Sequence, residues 1–166
     1  MKYFTISFFV VIAGYFGYGK FQKIKNQILQ DDIRQEFKTT DFLKPDITNI
    51  ANVIPNPIIT GKLSYPRYQI TIQGNFKEYN AEVLPAVSID FEDHMSCWSI
   101  ISRAELKYQS RAKRQAFVDV LYHDKVQTKL VIKDVMGKVI LDETVNLSEC
   151  KSFYLLGNYN IYTYKN

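Results

Sequence analysis

Two cysteines, two histidines, one tryptophan and seven glycines in 166 residues leave this chain poor in the side chains that usually announce chemistry. The glycines form no phosphate-cradling loop, and no serine sits between glycines as a nucleophile elbow. The EF-hand and zinc-helix spacings are missing. There is no internal repeat and no low-complexity tract. Net charge is only +4, which does not announce nucleic acid but favours an anionic lipid or an acidic partner. What remains open is a location, an architecture and a short set of function classes.

One long hydrophobic run is present, residues 3–19 (YFTISFFVVIAGYFGYG), without a charge and bracketed by Lys2 and Lys20. A spanning helix needs about 20 apolar residues, with a lower limit near 17. Tyr3, Tyr15 and Tyr18 suit the two interfaces, and Ala13 and Gly17 have a small-xxx-small spacing. A cleaved secretory signal is the competing reading, with Met1-Lys2 as its positive end and Gly17 and Gly19 before the cut. Lys20, Lys23, Lys25 and Arg34 follow the run, which by the positive-inside tendency would hold the remainder in the cytoplasm. The cysteines argue the other way. Cys97 and Cys150 in an exported protein predict one disulfide, whose loop of about 50 residues is worth roughly 4 kcal/mol on the chain-entropy model. The expectation is a membrane-anchored chain with an extracytoplasmic β domain, periplasmic in a bacterium; the alternative is secretion after signal cleavage.

After the run, Phe21, Ile24, Ile28, Ile33 and Phe37 follow at steps of three, four, five and four, approximating one apolar helical stripe. With no glycine or proline after Gly19, a single helix to about Lys38 is predicted. Pro45, Pro55 and Pro57 then mark a linker in which Ile47, Ile50, Val53 and Ile54 form a helical turn or cover a sheet edge. Beyond Gly61 the period becomes two. Strands are predicted from Leu63, Tyr65, Tyr68, Ile70 and Ile72; from Tyr79, Ala81 and Val83; from Val87, Ile89 and Phe91; at 97–101; and at 117–122. Two hairpins follow, 129–135 with 138–145 around Met136-Gly137, and 152–156 with 159–164 around Gly157-Asn158. The 14% aromatic content, with Tyr 12 and Phe 11, also leans to strands. The predicted fold is mainly β: an N-terminal hydrophobic helix continued by an amphipathic helix, then an antiparallel β-sandwich-like domain. Its parts are 1–19 (anchor or signal), 20–45 (helix and linker) and 46–166 (globular). The only helix expected beyond the linker is at 104–116. Trp98 directly follows Cys97, so the immunoglobulin spacing is absent.

Two clusters could carry function. Asp90, Glu92, Asp93 and His94 are hard-cation and imidazole donors, although a polar loop at a strand end reads the same. His94 and Cys97, three apart, would point to opposite faces of a strand. The other cluster lies in residues 103–114 (RAELKYQSRAKR), where Arg103, Lys107, Tyr108, Arg111, Lys113 and Arg114 form the candidate binding surface for anionic lipid, an acidic protein or nucleic acid, the last disfavoured by export. Asn146-Leu147-Ser148 matches the N-glycosylation sequon. The sequence thus predicts a non-enzymatic, membrane-anchored or exported binding module that contacts a protein partner, of the inhibitor, immunity or envelope-accessory type, with no cofactor and no metal. Two alternatives stand beside it: a small metal-dependent hydrolase using Asp90, Glu92, Asp93 and His94, and a structural subunit self-associating through the Phe21 to Phe37 stripe.

Overall fold

The computed structural model describes residues 2–76 and 83–150, with side chains from residue 18 onward apart from Val53. Helix α1 (Lys2–Thr39) opens the chain, and at its end the Thr39 and Thr40 hydroxyls bond back to the carbonyls of Gln35 and Glu36 at 2.8 and 2.9 Å. A 3-10 turn (Asp41–Leu43) and helix α2 (Thr48–Val53) follow, with Asp46 Oδ1 accepting from the Thr48 N–H at 3.1 Å. Next come strands β1 (Ile58–Ser64) and β2 (Arg67–Gln73), helix α3 (Val83–Asp90), a π-helical segment (Phe91–Trp98), α4 (Ser99–Lys107) and α5 (Arg111–His123). Strands β3 (Gln127–Lys133) and β4 (Val139–Asn146) and a 3-10 turn (Leu147–Glu149) complete the described chain.

The strands form one sheet in the order β1-β2-β3-β4. Two antiparallel hairpins meet at a parallel β2–β3 pair that sets Ile70 opposite Leu130 and Ile72 opposite Ile132. Parallel neighbours need a long crossover, and α3 to α5 supply it. Alternation along β2 and β3 puts Tyr68, Ile70, Ile72, Thr128, Leu130 and Ile132 on one buried face. The helices cover that face with Phe91, Met95, Ile100, Ile101, Phe117, Val120 and Leu121. Inside this layer the Thr128 hydroxyl donates to Ser96 Oγ at 2.9 Å, which satisfies two buried hydroxyls that would otherwise be costly. At the β3–β4 turn, Gly137 takes φ +85°, a conformation glycine adopts at little cost.

The fold is therefore mixed α/β with a single four-stranded mixed sheet, which overturns the expectation of a mainly β, antiparallel sandwich-like domain. Residues 87–91, 97–101 and 117–122, read as strands from their local apolar patterning, are helical. Over a longer window the buried positions Phe91, Met95, Ile100, Ala104 and Tyr108 recur every four residues, with one step of five after Met95. That step falls in the π-helical segment, where hydrogen bonds run i to i+5. In α5 the fully buried set is Ala116, Phe117, Val120 and Leu121, while Tyr122 is exposed. Of the strand expected from Tyr79, Ala81 and Val83, Val83 begins helix α3, while Tyr79 and Ala81, like the closing pair 152–156 with 159–164, lie outside the described residues.

The stripe on α1 is also not one stripe. Ile33 and Phe37 are 3% and 0% exposed, with Phe37 packed on the rings of Phe42 and Phe117 at 5.5 and 5.9 Å. Phe21, Ile24 and Ile28 are 62%, 61% and 56% exposed. The step of five from Ile28 to Ile33 rotates the chain about 140° beyond a full turn, so the two groups lie on different faces. Between them α1 packs on α5 through polar groups. Asn26 Nδ2 and Gln30 Nε2 donate to Asp119 Oδ2 at 3.3 and 3.1 Å, and Arg34 grips both oxygens of Asp124 at 2.8 and 3.0 Å. These pairs are separated by 93, 89 and 90 residues. The partners of these groups advance together along both helices, so α1 and α5 run in the same direction where they meet, with Phe37 reaching back to Phe117.

Cys97 and Cys150 form the expected disulfide, with a Cα–Cα distance of 5.6 Å, which ties the π-helical segment to the chain beyond β4. Such a bridge is consistent with an oxidising, extracytoplasmic location. Among the described residues no helix is long and apolar enough to cross a membrane. The side chains of residues 2–17, which make up most of the hydrophobic run, lie outside that description.

Candidate functional site

The segment 103–114 does not form the single contact surface that its sequence suggests. Arg103 is occupied with the fold: Nε and Nη2 donate to the Ser99 carbonyl and Oγ at 3.1 and 2.7 Å, Nη1 reaches the Asp41 carbonyl at 3.3 Å, and Nη2 also meets the Lys44 carbonyl. Burial lowers its pKa, with Asp46 and Asp41 opposing that effect. Lys107 forms an ion pair with Glu36 and sits 5.8 Å from the Phe42 ring. Tyr108 is buried, stacks on Phe42 at 5.7 Å and donates its hydroxyl to Glu36 Oε2 at 3.0 Å. Its pKa is raised well above the usual tyrosine range by burial first and by the Glu36 charge second. Three of the six predicted binding residues thus fasten α4 to α1 and to the turn after it. Arg111 and Lys113 lie exposed on the first turn of α5 beside the half-buried Arg114. Ser110 begins that helix by accepting from the Lys113 N–H at 3.3 Å.

The acidic cluster is not a loop either. Asp90 ends α3, and Glu92, Asp93 and His94 lie on the π-helical segment, with Asp90 Oδ1 paired to His94 Nδ1 at 3.0 Å. Glu92, Asp93 and His94 are exposed. Among the described residues no group of three or more His, Cys, Asp or Glu could hold a metal ion.

Asp124, the residue that closes α5, anchors a structural clamp. It accepts from Arg34 and from the Tyr65 hydroxyl, joining α1, the end of α5 and the β1–β2 turn. Burial pushes its carboxyl up, but the hydrogen bonds from Arg34 and Tyr65 outweigh that and hold it below the usual carboxylate value. Arg34 is raised for the reciprocal reason, with the Asp124 hydrogen bond as the largest cause. Lys38 Nζ stands 5.2 Å from the Tyr65 ring centroid and closes the group.

The feature the sequence did not bring forward is a groove of about 690 Å³ between the chain preceding α2 and the π/α4 helix. Lys44, Pro45 and Asp46 form one wall; His94, Trp98, Ser99, Ser102 and Arg103 form the other. Trp98 is the chain's only tryptophan and remains 42% exposed. Arg103, by holding the Asp41 and Lys44 carbonyls, fixes the first wall against the second. Asp46 is fixed from the other side, its N–H donating to the Met95 carbonyl at 2.9 Å. Its carboxyl is held low by hydrogen bonds from the Thr48 hydroxyl and N–H. The groove therefore offers an indole surface, the Lys44 ammonium, an imidazole and two serine hydroxyls on a braced frame. Its signal was present in the sequence as His94, Trp98 and Ser102 at steps of four, one face of a helix, but the strand assignment at 97–101 hid it. No family model, no curated protein and no solved structure matches the chain.

Proposed function

We propose that this chain is a membrane-held, extracytoplasmic, non-enzymatic binding module whose Trp98 groove receives a protein partner of acidic character. The observation that carries the reading is the exposed tryptophan in a braced groove beside Lys44. Tryptophan is enriched at the few interface positions that dominate binding energy, because its large ring is buried on association at low entropic cost. The Lys44 ammonium, the one lining cation of the groove not bonded into the fold among the described residues, favours an acidic segment through complementary potential, while Asp46 on the same wall is engaged by Thr48. The disulfide supports the extracytoplasmic side, and the uncharged run 3–19 at the start of α1 supports the membrane attachment. An inhibitor, immunity or envelope-accessory role fits a rigid scaffold presenting one groove.

The test is site-specific photo-crosslinking of the full-length protein in its native membrane fraction. A photoreactive residue at Ser102 is expected to yield one protein adduct, abolished by Lys44→Glu. The same residue at Met136, exposed on the β3–β4 turn, is expected to yield none. Equal adducts at both positions, or none at Ser102, would overturn the reading.

One further observation favours a second reading, a structural subunit that self-associates. Phe21, Ile24 and Ile28 form an exposed apolar row on α1, and a second copy of the helix could cover it. Ile28→Asp would then convert an oligomer to a monomer, as measured by light scattering in detergent; an unchanged mass would remove this reading.

A further inference from the structure

The parallel register of α1 and α5 has a geometric result for the exposed cations. With an offset of about ninety residues, α5 begins level with residues 21–24 of α1, a correspondence independently visible where Gln22, Lys23, Lys25, Asn26, Ala112 and Gln115 line one surface cleft. Arg111, Lys113 and Arg114 flank the α5 residues that line this cleft and so stand level with the turn of α1 that carries Lys20, Lys23 and Lys25; five of these six side chains are exposed, with Arg114 half-buried. The acidic residues of α1, Asp31, Asp32 and Glu36, all lie further along the helix.

The height of this cluster follows from helix geometry. At a rise of ~1.5 Å per residue, residues 21–24 lie about 3–8 Å past Gly19. If residues 3–19 fill the hydrocarbon core, the polar headgroup layer extends about 5–8 Å beyond it on each side. The two helices thus bring six basic side chains to the level of the headgroups from two sides of the same stalk. Three of the six come from a segment about ninety residues further along the chain.

We infer that Lys20, Lys23, Lys25, Arg111, Lys113 and Arg114 form a collar that binds anionic phospholipid headgroups and sets the domain's height and tilt on the bilayer. Phosphate-bearing headgroups are the occupant, rather than an acidic protein, because the collar lies at the end of the uncharged run and the Trp98 groove lies on other elements. Long lysine and arginine side chains reach headgroups while their stems lie along apolar surface, and clustered basic residues at this position are the pattern that anionic lipids recognise. This inference rests on the membrane attachment proposed above.

The experiment uses the full-length protein, disulfide intact, in vesicles of mixed phosphatidylcholine and phosphatidylglycerol. A fluorophore on Ala112→Cys reads the collar, and a short-range quencher is carried either by the phosphatidylglycerol or by the phosphatidylcholine. Quenching from phosphatidylglycerol is expected to exceed that from phosphatidylcholine at least about threefold. That preference is expected to vanish in high salt and in the combined Arg111→Gln, Lys113→Gln and Arg114→Gln variant. A fluorophore on Ala13→Cys, quenched from the acyl chains, reports the attachment separately. Equal quenching by both lipids at Ala112 with Ala13 buried overturns the collar and leaves the attachment standing. An unquenched Ala13 label overturns both.

Discussion

Phe21 and Phe37 are the same side chain on the same helix, about 24 Å apart along its axis, and they do opposite things. Phe37 is sealed between Phe42 and Phe117 in the core, whereas Phe21 stands out from the fold with Ile24 and Ile28. The half of α1 that holds Ile33 and Phe37 is a core element. In the half before it, among the described residues, Gln22, Lys23, Lys25, Asn26, Leu29 and Gln30 face α5. The difference teaches that only the second apolar group of α1 belongs to the core of the fold.

The largest break in that comparison is expected from truncating each phenylalanine. Phe37→Ala removes a fully buried ring and is expected to cost about 3–5 kcal/mol. Phe21→Ala is expected to stay within about 0.5 kcal/mol. Denaturant midpoints of the detergent-solubilised protein decide it, and equal losses would mean that the outer half also packs on its own domain. Opening the disulfide asks whether the buried half of α1 can hold the fold without the covalent tie. Cys97→Ser with Cys150→Ser is expected to lower stability by about 2–5 kcal/mol, read as a fall in midpoint that reducing agent reproduces in the parent protein.

A smaller contrast lies within the basic segment. Arg103→Ala leaves the Asp41 and Lys44 carbonyls without their donor and is expected to cost about 1–3 kcal/mol. Arg111→Ala, with its side chain in solvent, is expected to change stability by less than about 0.5 kcal/mol. The same unfolding assay separates them. The smallest effect concerns the clamp between the two helices. Because the Asp124 carboxyl titrates below its unfolded value of about 4, its stabilisation is complete above that pH and is lost as pH falls through the folded value. Asp124→Asn is therefore expected to be less stable than the parent at neutral pH and to show a flatter decline below about pH 4. Parallel acid limbs would mean that the clamp contributes nothing.

Several parts of this fold were legible before any coordinates. Two cysteines in a chain expected to be exported point to Cys97–Cys150, and Met136-Gly137 marks the β3–β4 hairpin. The helical crossover was not legible, because Val87, Ile89 and Phe91, and again Val118, Val120 and Tyr122, alternate over the few residues a strand would occupy. Only the recurrence at four from Phe91 to Tyr108 shows the helix, and the π-helical step of five interrupts even that. The candidate site failed for a different reason. Residues 103–114 were grouped by adjacency, whereas the structure gives Arg103, Lys107 and Tyr108 to internal fastening and sets Arg111, Lys113 and Arg114 beside α1. The groove needs Lys44 opposite Trp98, and nothing local connects residues so far apart.

The disulfide carries a last consequence, in mechanical terms. Its two ends are 53 residues apart and enclose α4, α5, β3 and β4 in a covalent ring, with Trp98 the first residue inside it. Force applied at Trp98 enters that ring directly and passes to α1 through Lys107 and Tyr108 on Glu36 as well as through the side-chain bonds between α5 and α1. Pulled from its ends, the oxidised chain withholds roughly 180 Å of contour that the reduced chain releases. A length step of that size in a single-molecule extension trace would mark the ring as the part of the molecule that cannot be stretched.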